Sequence, residues 1–267
     1  MTEETAPAFP DTEAARALAA ARHPDPFAVL GPQVADGGLV LTVVAPDAAE
    51  VAARVAGADH PLAPHPAAPA VFSGPIPERD YRLRIGYASG DVEVRDDPFR
   101  FGPVLDQQDE HFFNEGTLTR LWHRLGAHPM RHEGAQGTQF AVWAPNAARV
   151  SLVGPFNQWD GRRHPMRKRG ASGIWEIFVP DIGEGAVYKY EIVGADGALQ
   201  PLKADPVGFG SQHAPENASV VRDIAGYGWD DGDWMATRAG RNARTAPVSI
   251  YEVHLGSWRR VAAEDGR

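Results

Sequence analysis

Apolar and polar side chains alternate along residues 81–87, where Tyr81, Leu83, Ile85 and Tyr87 are separated by Arg82, Arg84 and Gly86. Period two marks a strand with one face buried and the other wet. The same period at 188–192 predicts that Tyr188, Tyr190 and Ile192 face a core while Lys189 and Glu191 face outward. Elsewhere the apolar runs are short, and 28 glycines and 23 prolines punctuate them at roughly ten-residue spacing, the rhythm of a β-sandwich rather than of βαβ units. Two stretches carry a helical pattern instead. Asp11 is a suitable N-cap for a helix to about Arg22, with Glu13 near its positive end; His23-Pro24 stops it and sends Asp25–Pro32 into extended structure. Thr117 is placed to cap a second helix, whose Leu118, Leu121, Trp122 and Leu125 form one apolar stripe closed by Gly126. The polar, glycine-rich run from His128 to Gly137 then reads as a linker. After Val221 come a polar connector at 226–234 and an Arg-rich loop. Last is Val248–Leu255, dense in β-branched and aromatic residues as a strand buried on both faces of a parallel sheet would be, which suggests that another domain begins there.

The chain also repeats itself. Leu41–Val51 is echoed by Phe140–Val150 at an offset of 99, Tyr81–Ile85 by Tyr188–Ile192 at 107, and Asp97–Gly102 by Asp205–Gly210 at 108. Matches in unchanged order at a nearly constant offset imply two related modules of about a hundred residues each. The expected fold is therefore all-β, with two tandem Ig-like β-sandwich modules joined by a short helix. The boundaries read as a leader and helix over 1–24, a first sandwich over 25–116, a linking helix and linker over 117–136, a second sandwich over 137–225, and a connector with the final strand over 226–267.

Composition narrows the function by exclusion. A net charge of −9 argues against a nucleic-acid partner, which would need a clustered basic surface. The absence of cysteine excludes disulfides and thiolate zinc sites and fits a reducing compartment. The N-terminus does not read as a signal peptide, and no apolar run approaches the ~20 residues of a membrane span, so a cytoplasmic, monomeric protein without membrane contact is expected. His123, His128 and His132 invite a metal reading, but Gly126, Pro129 and Gly134 break the helix that would align them, and no metal or other cofactor is expected. Asp230-Asp231-Gly232-Asp233 lacks the spacing of a calcium loop, and Gly208-Phe209-Gly210 lacks the third glycine of a dinucleotide site. Glu252 and His254 alternate onto one strand face without a paired carboxylate, and no catalytic residue can be assigned. The most informative stretch is Gly154–Asp160, because the aligned Val55–His60 lacks its aromatic. Trp159 in this polar turn either stacks on a sugar ring, with Asn157 and a nearby Lys binding hydroxyls, or folds back as a plug of the hairpin.

Taken together, Asp25–Gly31, Leu125–His128, Phe140–Val150, Phe156–Gly161, Lys203–Pro206 and Ser249–Arg260 resemble the bacterial 1,4-alpha-glucan (glycogen) branching enzymes over nearly the whole chain. The resemblance implies an N-terminal sandwich, a family 48 carbohydrate-binding module and an alpha-amylase-type (β/α)8 barrel, truncated within its first strand near the end of this sequence. It further implies an enzyme of glycogen biosynthesis that cleaves alpha-1,4-glucan and transfers segments to form alpha-1,6 branches. The nucleophile and acid/base would lie on later strands, so this chain alone is expected to be inactive. By the same resemblance Trp159 matches the sugar-stacking Trp, Lys189 a hydroxyl-binding Lys and Asn217 the late Asn of the module, and the partner is alpha-1,4-glucan, as glycogen or maltooligosaccharides. Ala198-Leu199 stands where starch-binding members carry a second aromatic, so binding is expected to be weak; Gln33 departs from the usual His, and the first module reads as structural. The alternatives are another alpha-amylase-family enzyme, such as a debranching enzyme, and a stand-alone glycan-binding protein.

Overall fold

A computed structural model describes residues 9–35 and 37–258. Asp11 caps α1 (Thr12–Ala19) by accepting from the Ala14 amide at 2.8 Å, and Ala15 and Leu18 bury the helix against the first sandwich. Asp25–Leu30, expected to be extended, instead curls into a 3-10 turn at Pro26–Ala28. Pro26 suits the first position of such a turn, and the Leu30 amide closes it on the Pro26 carbonyl at 2.8 Å while Leu30 goes into the core. Seven antiparallel strands follow: β1 (Gly31–Ala35), β2 (Gly38–Val44), β3 (Ala48–Val55), β4 (Ala58–His65), β5 (Ala68–Ile76), β6 (Arg82–Tyr87) and β7 (Val92–Arg95), in the spatial order β1-β2-β5-β4-β3-β6-β7. Leu41, Val43, Val51, Ala53, Phe72, Tyr81, Leu83 and Ile85 fill its interior, as the alternation requires.

The second module is a two-sheet sandwich. One sheet orders β11 (Arg167–Arg169), β12 (Ile174–Pro180), β9 (Ala135–Trp143) and β8 (Gly126–His132); the other orders β10 (Ala147–Val153), β13 (Val187–Gly194) and β14 (Ser219–Val220). Phe140, Val150, Leu152, Trp175, Ile177, Tyr188 and Tyr190 meet between them, each large side chain contributing ~1.5–3 kcal/mol on burial.

Two sequence expectations fail between the modules. The helix lies earlier, at α2 (Gln107–Glu115), where Asp106 and Asp109 form a capping box and Gly116, at φ +75°, ends it before Thr117. The stripe at 118–125 therefore never closes into one helix: Leu121 and Trp122 are exposed on a 3-10 turn, and only Leu125 is buried. The expected linker at 128–137 is the β8–β9 hairpin, turning at Glu133-Gly134 with both residues at positive φ. Polar residues misled the reading because β8 lies at the edge of its sheet and exposes one side.

Buried polar bonds join the modules. The Leu105 amide donates to Glu176 Oε2 at 3.0 Å, Arg169 donates to the Leu105 carbonyl at 2.8 Å, and Phe101 packs edge-on against Phe178. The residues up to Ile224 form one compact unit and those from Ala225 a second. In the second, α3 (Gly232–Arg241) replaces part of the expected loop. Val248–His254 forms no strand among the described residues, with Ile250 88% exposed, and α4 (Leu255–Trp258) follows. A strand needs a neighbour to take its backbone donors and acceptors, and none lies beside this stretch in the described residues. Arg259 and Arg260 of the terminal motif lie outside them.

Candidate functional site

The aromatic turn grows out of β10. Gly154 follows Val153 so closely against β13 that a Cβ there would sit 2.4 Å from the Val187 carbonyl oxygen. The chain turns through a 3-10 segment at Pro155–Asn157, and Gln158 and Trp159 then both take φ +60°. Left-handed backbone costs an L-residue roughly 1–2 kcal/mol, so two in succession need support from the surroundings. Asn157 gives it from inside. Its Oδ1 accepts from the Gly154 amide at 2.9 Å, and its Nδ2 donates to the Leu152 carbonyl at 2.9 Å and to His164 Nδ1 at 2.7 Å. His164 accepts there as a neutral ring, because complete burial, helped by the charges of Arg95 and Arg163, lowers its pKa to about 3. Asn157 is 2% exposed and its amide is spent inside the loop, which removes it from the set of sugar contacts.

The outward row of β13 runs Val187, Lys189, Glu191, Val193, while Tyr188 and Tyr190 point into the core. Gly154 abuts Val187, and a Cβ on Gly161 would fall 2.1 Å from Glu191 Oε1, so the turn carrying Trp159 lies along this row with Lys189 at its middle. Lys189 donates to Asn217 Oδ1, which precedes β14 on the other side of β13. Trp159 is 38% exposed, Asn217 is exposed and Lys189 is half-buried. Lys189 and Asn217 thus share the outward face of β13, and the loop that carries Trp159 runs along it. An indole face suits the C–H face of a pyranose, the Lys ammonium keeps protons beyond the one given to Asn217, and the Asn217 amide nitrogen keeps its own. Leu199, 63% exposed and bridged to Val193, stands at the end of the row.

Asp160 closes the loop. Burial opposes its charge, but Arg162 donates to both carboxylate oxygens at 2.7–3.0 Å and holds the group below the usual carboxylate range. Arg163, absent from the sequence-based set, is buried beside it and reaches Pro46 and Asp47 of the first module. No local sequence signal marks that contact across 117 positions.

Of the histidines, His128 bonds the Leu125 carbonyl and His132 the Gly102 carbonyl; among the described residues no three His, Cys, Asp or Glu gather to hold a metal. Glu252 and His254 lie exposed in the irregular stretch.

Comparison with known families and proteins gives matches in two parts of the chain. Residues 11–99 match the alpha-1,4-glucan branching enzyme GlgB N-terminal domain. Residues 124–208 match carbohydrate-binding module 48, the isoamylase N-terminal domain, a span that includes Trp159 and Lys189 and ends before Asn217. Among curated relatives, the chain is 53% identical over 94% of its length to the 1,4-alpha-glucan branching enzyme GlgB of Roseobacter denitrificans and 51% identical over 93% to that of Rubrobacter xylanophilus. The GlgB of Paramagnetospirillum magneticum is 50% identical over 95%. The chain spans about a third of the length of these relatives, 34–35%.

Proposed function

The chain belongs with the N-terminal part of the GlgB 1,4-alpha-glucan branching enzymes, and from that premise we propose that its second sandwich lays a linear alpha-1,4-glucan across the open face of β10, β13 and β14. Trp159 is the stacking platform, and Lys189 and Asn217 bind sugar hydroxyls. The observation that supports this reading is the run of the 154–161 loop, with its exposed indole, along the outward row of β13 that also holds Lys189 bonded to Asn217. A polymer needs an open face rather than a closed pocket, because the chain must enter and leave at both ends.

Stacking by a single Trp with a few hydroxyl contacts gives an affinity of order millimolar, about −4 kcal/mol. Such a site concentrates glucan near the enzyme without holding a product tightly. In this reading the parent protein is a cytoplasmic monomer that transfers alpha-1,4 segments to 6-hydroxyls, and the retaining carboxylate pair such chemistry needs lies outside these residues. The described part of the chain binds and does not catalyse.

Titration of maltoheptaose followed by NMR shifts tests the proposal. Trp159→Ala should abolish measurable binding while circular dichroism stays unchanged. Equal binding by both proteins would make Trp159 a packing residue and place the glucan contacts elsewhere.

A further inference from the structure

The Arg163 side chain is 7% exposed and is enclosed from two directions. From the first module come the Pro46 carbonyl at 3.4 Å and Asp47 Oδ2 at 3.6 Å, at the turn between β2 and β3. From its own loop come Gln158 Oε1 at 3.4 Å and Asp160 Oδ2 at 3.7 Å. A guanidinium this buried requires partners, and here they are divided between one module's turn and the other module's aromatic loop.

What Arg163 grips matters more than the pair itself. Gln158 and Trp159 are the two consecutive left-handed residues of the loop, and Asn157 anchors only its underside. Asp160 closes the same loop just beyond Trp159. Held at Gln158 and Asp160, Trp159 is bracketed on both sides by a side chain that is itself fixed from the first module.

We propose that the first module is a positioning device for the glucan contact: Asp47 and the Pro46 carbonyl set Arg163, and Arg163 sets the backbone on which Trp159 presents its ring. The inference rests on the glucan-binding reading above and adds the regulation of that site by its neighbour. Arg163 and Asp47 are positioning residues and do not touch the sugar. Because coupling between two sites is reciprocal, glucan on the second module tightens the contact between modules.

The 267-residue chain serves for the test, with maltoheptaose as probe and the indole N–H resonance of Trp159, assigned by its loss in Trp159→Phe, as a second readout. Asp47 is 75% exposed but takes φ +65°, which Asn tolerates better than Ala, so circular dichroism accompanies Asp47→Ala and Asp47→Asn serves as the variant that keeps the turn. Asp47→Ala should weaken binding by about twofold to fivefold, the scale of a partly exposed ion pair, and move the Trp159 resonance in the absence of sugar. Asp47→Asn, which keeps an acceptor, should fall between the two. In an Arg163→Gln background, Asp47→Ala should add nothing further, since the partner is gone. Unchanged affinity and resonance in Asp47→Ala, with Trp159→Ala still abolishing binding, would overturn this inference alone. A wild type that binds no glucan would sink the underlying reading and this inference with it.

Discussion

The two sandwiches share a frame down to single bonds, and they part company at one turn. In the first, Tyr81 donates to buried Asp97 at 2.7 Å, and Asp97 also accepts from the Phe99 amide; in the second, Tyr188 donates to buried Asp205 at 2.8 Å, and Asp205 accepts from the Val207 amide. Both modules place a β-bulge at the start of the strand after the repeated Ala-Pro turn, at Ala48/Glu50 and at Ala147/Arg149. The residue after each bulge makes an ion pair across to the tyrosine strand, with the charges exchanged: Glu50 to Arg84 in one, Arg149 to Glu191 in the other. Where β3 returns directly into β4 through Ala56-Gly57, β10 instead opens into the Trp159 loop. What recurs is what closing a sandwich demands. The unshared turn is the part the scaffold does not require, and it carries the exposed aromatic.

The largest test of the shared frame is the buried aspartate. Asp205 accepts from both Tyr188 and Tyr190, whereas Asp97 accepts from Tyr81 alone among tyrosines. Asp205→Ala should cost about 3–5 kcal/mol and Asp97→Ala about 2–3 kcal/mol, read from urea midpoints, because buried donors are left unpaired. Equal losses would mean that the second tyrosine bond contributes nothing.

Next comes pH. The folded protein holds His164 neutral down to about 3, against 6.5 for a free ring, so between those values the unfolded chain binds more protons. The stabilisation is full above pH 6.5 and is lost as pH falls through the window, by roughly 5 kcal/mol over its whole width. Burial raises Asp97 and Asp205 alike, so their contributions run the opposite way, improving on acidification, and do so in both modules. His164→Asn, which keeps an acceptor for Asn157, should flatten the acid limb of urea stability measured from pH 7 to 4. An unchanged slope would assign the acid sensitivity to other groups.

The smallest effect separates the exchanged ion pairs. Arg149 and Glu191 are 10% and 18% exposed, while Glu50 is 63% exposed. Arg149→Ala should therefore cost about 1–3 kcal/mol and Glu50→Ala under ~1 kcal/mol, by thermal unfolding. Comparable losses would break the view that burial, rather than the pairing itself, makes the second copy matter.

By itself the sequence carried the duplication, the inward Tyr81 just before β6 and Tyr188 and Tyr190 of β13, the Asp11 cap and the aromatic turn. The tyrosines, the cap and the turn are each written within a few residues, where alternate burial or a single cap bond leaves a local signal, and the duplication shows as matches kept in order along the chain. It misassigned 117–137, because an apolar stripe specifies a helix only if the chain can close it, and Gly116 and Gly126 end that possibility from outside the stripe. It placed Asn157 among the sugar contacts, since a polar residue in a turn gives no sign that Leu152 and His164 will consume its amide. Only the tertiary structure decided the order of the strands, the pairing of Lys189 with Asn217 on the outward face of β13, and the burial of Arg163 against Asp47. Those partners lie tens of residues apart in the chain, and contacts at such separation are chosen by packing the whole sandwich, which leaves no periodic trace in the residues that make them.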